Sequence, residues 1–128
     1  MSYYTATTLE KPLADAIMRV EAALKEEGFG VLTRIDVAAT LKEKVGAELQ
    51  PYVILGACNP KLAFEALKRE NKVGTMLPCN VVVQEIAPGR SEVAAIDPVA
   101  SMQAIDNAEL RTLAGEVRDR LRRVIERL

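Results

Sequence analysis

The turn Ala87-Pro88-Gly89-Arg90 constrains this chain more than any other feature, because it lies between two strand-like runs, Asn80 to Ile86 and Glu92 to Ile96. Proline followed by glycine is turn chemistry, and two strands joined by so short a connection run antiparallel. A sheet containing such a hairpin is not purely parallel. Any fold proposed for the chain has to accommodate it.

Upstream of the hairpin the apolar period changes repeatedly. Ser2 to Thr8 is rich in β-favouring residues, and Pro12 then suits the start of a helix. Ala16, Ile17, Val20, Ala23 and Leu24 follow at helical spacing, and Gly28 closes that helix. Phe29 to Ile35 alternates, which predicts a strand with Phe29, Val31, Thr33 and Ile35 on one side. Asp36 is a natural N-cap for a short helix through Val37, Leu41 and Val45 that ends at Gly46. Tyr52 to Ala57 is continuously apolar and too short for a buried helix, so it reads as a central strand covered on both faces. Asn59 and Pro60 open a third helix through Leu62, Ala63, Ala66 and Leu67. A last helix from about Asn107 aligns Leu110, Ala114, Val117, Leu121, Val124 and Leu128.

The resulting order, β-α-β-α-β-α-β-β-α, predicts a single α+β domain over residues 1–128, with one mixed, largely antiparallel sheet covered by helices. A doubly wound α/β sheet is the alternative. The two differ in where they put the cysteines. Parallel neighbours would separate Cys58 from Cys79 by the length of a strand, on the order of 20 Å, whereas antiparallel ones let the thiols meet.

Composition narrows the chemistry. The chain has 128 residues, no histidine, no tryptophan and a formal net charge of −1. Without histidine the commonest general base and metal ligand are missing, so serine or cysteine triads and most catalytic zinc sites are not expected. No Gly-rich phosphate loop exists. A near-neutral chain poor in aromatics predicts no nucleic-acid partner, and no apolar run approaches the roughly 20 residues that cross a bilayer. These features predict a cytoplasmic protein with no recognisable catalytic constellation, no cofactor and no membrane partner.

Candidate site residues cluster in two similar tripeptides, Cys58-Asn59-Pro60 and Pro78-Cys79-Asn80, at the edges of the two most strand-like segments. Free cysteine often packs as a small hydrophobe, so either thiol could be core. The chemical alternative is stronger for Cys58, where the positive end of the following helix would favour the thiolate. Two thiols fall short of a zinc site but could hold a soft ion such as Cu(I), or form a redox pair. The Asn59 and Asn80 amides could fix a ligand, although capping and turn formation also account for them. Asp97 could add a carboxylate if its end of the sheet faces Cys58. The arginines Arg118, Arg120, Arg122, Arg123 and Arg127 are interleaved with acids, as on a solvated helix face with ion pairs at i to i+4 spacing. The apolar stripe of that helix is explained first by packing on the sheet and second by a homodimer contact.

The segment LGACNPKLAFEAL, then GTMLPCNVVVQE, then Asp97-Pro98 resembles the bacterial and archaeal family catalogued as domain of unknown function 302. The resemblance covers nearly the whole chain and implies a compact α+β domain that self-associates. It transfers no reaction, substrate or catalytic residue. Many members share the Asn59-Pro60 and Leu77-Pro78 elements with other residues in place of Cys58 and Cys79, which implies that the fold does not need the thiols. The favoured reading is a homodimeric, non-enzymatic module whose small-ligand site gathers Cys58, Asn59, Cys79, Asn80 and Asp97. The alternatives are a thiol redox or soft-metal protein using Cys58 and Cys79, and a purely structural interaction domain.

Overall fold

The computed structural model describes residues 2–128. Five strands, β1 (Tyr4–Leu9), β2 (Gly30–Asp36), β3 (Tyr52–Cys58), β4 (Cys79–Ala87) and β5 (Arg90–Ile96), form one sheet in the order β1-β5-β4-β3-β2. All four neighbouring pairs are antiparallel. The α+β expectation therefore holds, and the doubly wound alternative falls because each neighbour reverses direction. The helices are α1 (Leu13–Glu26), α2 (Val37–Val45), α3 (Pro60–Arg69), the four-residue α4 (Pro98–Ser101) and α5 (Ala108–Glu126), with a 3₁₀ turn at Val73–Met76.

Local chemistry sets the helix starts. Asp36 Oδ accepts the amide of Ala39, Asn59 that of Leu62, and Asn107 that of Leu110, each satisfying a first-turn N–H that no helical carbonyl can reach. Helix α1 starts differently: Glu85, on β4, accepts the Leu13 amide at 2.7 Å.

Alternation on the strands builds the main core. Val53, Leu55, Ala57, Val81, Val83, Val93 and Ala95 point to one face, against Ala16, Ile17, Val20 and Leu24 of α1 and Leu121, Val124 and Ile125 of α5. A second, smaller core joins Ala66, Val73, Met102, Leu110 and Ala114. Helix α5 serves both, its first half packing in the small core and its second half on the sheet. The apolar stripe read from its sequence is thus occupied within the chain.

Two expectations about strands are corrected. The β2 alternation breaks at a bulge: Val31 pairs with Ala57 but Thr33 with Gly56, so Leu32 is an extra residue and the later side chains change face. Phe29 is buried, while Ile35 is 48% exposed. Nor is β3 covered on both faces. Ile54 shares the face opposite α1 and α5 with Val82, Ala94 and Ala6 on the neighbouring strands, and this face is lined by Tyr4, Tyr52 and Val82 rather than by a helix.

Polar contacts tie α5 down. Glu27, at the end of α1, is buried and takes Arg123 Nε at 2.9 Å and Arg127 Nη2 at 2.7 Å. The Arg127 hydrogen bond, and after it the Arg123 bond and both positive charges, hold its carboxyl below the usual range against an opposing effect of burial. Arg120 and Glu116 do form an i to i+4 pair, but Arg122, Arg123 and Arg127 reach residues outside α5. No helix among the described residues is long and apolar enough to cross a membrane.

Candidate functional site

A pocket of about 320 Å³ opens where the two cores fail to meet. Phe29, Ala57 and Cys79 of the main core form one wall, and Ala66, Leu110 and Ala114 of the small core form the other. Leu62, Ala63 and Leu67 of α3 and Leu113 and Val117 of α5 close the sides. The lining is almost wholly apolar and the volume is at the lower end of the range for small-molecule sites. The β2 bulge contributes directly, because it aims the otherwise exposed Leu32 over the pocket.

The structure brings three of the five anticipated site residues together. Cys58, Asn59 and Cys79 all line this pocket. Cys79 pairs with Ala57 across the β3–β4 ladder, so the antiparallel arrangement sets the two cysteines at the same end of the sheet. Both remain free thiols. Burial pushes the Cys58 thiol up, opposite to the lowering expected from the helix end that follows it. Burial, with the neighbouring Cys58 adding to it, pushes Cys79 up to about 11. Among the described residues no three His, Cys, Asp or Glu side chains gather around one point where a metal ion could sit.

Asn80 and Asp97 lie elsewhere. Asn80 is exposed and shares the open sheet face with Tyr52 and Val82. Asp97 is a cap: one carboxylate oxygen accepts Val99 N at 2.9 Å and Ala100 N at 3.4 Å, while the other lies 3.7 Å from Arg122. Its neighbour Pro98 reaches the pocket instead.

Most of the lining was absent from the sequence-based site because it comes from helical stripes that read as ordinary core. One signal was present. Leu62, Ala63, Ala66 and Leu67 form a clear apolar face and all four border the pocket, yet only Ala66 is buried.

One polar group also escaped notice. Arg120 lies one helical turn beyond the pocket residue Val117 and donates Nη1 to the Glu27 carbonyl at 3.1 Å, beside Asn59. Gly28, at φ +86°, makes room for both, because a side-chain carbon there would lie 3.1 Å from Asn59 Nδ2 and 3.4 Å from Arg120 Nη1.

Comparison with known proteins agrees with this architecture. The crystal structure of an uncharacterized conserved DUF302 protein from Bacillus stearothermophilus superposes with a TM-score of 0.90 at 30% identity, covering 99% of this chain and 98% of that one. No curated protein is a detectable relative. The family model described as domain of unknown function DUF302 matches residues 4–128, which takes in all five strands, both cores and every residue of the pocket. On that match and that superposition, the chain belongs to the DUF302 family.

Proposed function

We propose that the protein is a non-enzymatic binding module for a small, largely apolar ligand held between its two cores. The observation that carries this reading is the pocket itself: about 320 Å³ of space walled by aliphatic side chains, at the junction of α3, α5 and the β3–β4 end. Protein interiors normally close such gaps, because apolar atoms facing a void lose their dispersion partners. Binding is favoured over catalysis because both titratable groups in the lining are thiols that stay protonated at neutral pH. Thermal unfolding with 1-octanol tests this. Saturation at 100 times Kd adds about 2.7 kcal/mol, an upward shift of several degrees. No shift at the solubility limit of the alcohol would sink the reading.

We also propose that the protein forms a homodimer through its open sheet face. Ala6, Ala94, Val82, Ile54 and Ile35 stand in one cross-strand row on that face. In a two-fold contact each patch meets its own copy, so an uncharged row is self-compatible where a charged one would repel. Sedimentation equilibrium of the native chain against Val82→Arg checks this: a dimer that the arginine dissociates is expected, and a native monomer at high micromolar concentration would exclude it.

A further inference from the structure

We infer that the ligand is an amphipathic anion, a medium-chain carboxylate whose hydrocarbon tail fills the pocket and whose carboxylate is held at the Asn59 end by Asn59 Nδ2 and Arg120. The inference rests on the binding reading above and adds the head group to it.

The donor set carries the argument. Asn59 Oδ1 is committed as N-cap of α3, accepting Leu62 N at 3.2 Å, which fixes the amide orientation and leaves Nδ2 as a free donor. Arg120 Nη1 and Asn59 Nδ2 both flank Gly28, 3.4 and 3.1 Å from where its missing Cβ would stand, which makes them near enough to each other for the two oxygens of one carboxylate to take one donor each. Arg120 Nε is the only buried side-chain nitrogen or oxygen among the described residues with no hydrogen-bond partner. Such an orphan is uncommon in a native fold and marks a missing acceptor nearby. The positive end of α3, which begins at Pro60, adds to the preference for an anion.

Opposing charge is modest. The one acid paired with Arg120 is Glu116, whose Oε1 lies 3.6 Å from Nη2 on a side chain that is 48% exposed, so its attraction is weakened by solvent. Glu27 offers Arg120 only its backbone carbonyl, its carboxylate being taken by Arg123 and Arg127. The tail length follows from volume. At about 30 Å³ per water-sized group, a pocket of about 320 Å³ holds roughly ten groups at complete filling, hence a tail of about six to eight carbons at realistic packing.

Calorimetric titration of octanoate and 1-octanol, matched in chain and differing in head group, into the native protein at pH 7 tests the inference. Octanoate is expected to bind about tenfold more tightly than the alcohol. The preference should vanish in Arg120→Gln and reverse in Asn59→Asp, which keeps the helix cap but replaces the donor with an anion, while octanol affinity stays within about twofold. Equal affinities for the two compounds, or a carboxylate preference that survives both substitutions, would overturn the head-group assignment and leave the apolar pocket standing. If neither compound binds, the pocket reading and this inference fail together.

Discussion

Cys79 stands directly opposite Ala57 on the neighbouring strand, so the two thiols belong to diagonal neighbours on the ladder rather than to a facing pair. Both nevertheless line the same pocket, and burial raises both thiols. Native alkylation with iodoacetamide should therefore give slow reaction at both sites at pH 8, with Cys79 labelled only as the pH approaches its raised value of about 11. Rapid labelling of Cys58 below pH 8 would restore a thiolate function. The linkage sign is fixed too. A thiol raised in the fold is deprotonated more readily when unfolded, so its contribution to stability is lost as pH rises from the ordinary value of 9.0 towards 11.

Gly56 is required by contact rather than by conformation. A Cβ there would overlap Thr33 Oγ1 and lie 2.7 Å from Pro78 Cγ, and the proline ring cannot rotate away. Gly56→Ala should cost about 1–3 kcal/mol in urea unfolding. Adding Thr33→Ala should recover only part of that. Full recovery would show that the Pro78 contact is slack.

Glu27 should govern acid stability. Its carboxyl is held below the ordinary value of 4.5, chiefly by the hydrogen bond from Arg127, so it stabilises the fold above that value and the benefit disappears as pH falls through the lower, folded-state value. Glu27→Gln should lower stability at pH 7 by about 1–2 kcal/mol, the half-exposed arginines limiting the loss. It should also flatten the decline of stability below about pH 4.5. An unchanged acid profile would assign that decline to other carboxylates.

Ala114 tests the pocket without dismantling it. The residue is 3% exposed and borders the cavity, so Ala114→Leu extends three heavy atoms into free space. Melting temperature should hold or rise as apolar area is buried, while octanol binding weakens at least about tenfold. A variant that melts lower and binds as before would place the ligand elsewhere.

Much of this architecture was legible in the chain. Asp36, Asn59 and Asn107 each do what their side chains suggest at a helix start, and the Pro88-Gly89 turn forces the antiparallel hairpin. The bulge at Leu32 was not legible, because alternation alone does not reveal an inserted residue, and it reversed the faces assigned to Thr33 and Ile35. The apolar run Tyr52 to Ala57 reads identically whether its second face meets a helix or lies open. Asp97 misled because an aspartate before proline has the same sequence signature as a cap or as a ligand group, and here it caps α4. The pocket emerged only in three dimensions, since its walls come from separate helices and strands whose stripes each look like complete core.

The pairing of β1 with β5 also bears on how the molecule is made. Tyr4 finds its partner at Ile96, and Leu9 finds its own at Ser91. During synthesis β1 has no ladder to join until β5, Arg90–Ile96, has been made. Strand pairings between residues so distant in sequence slow folding. The hairpin of β4 and β5 is the surface on which β1 settles, so the strand made before the other four enters the sheet only beside the one made after them.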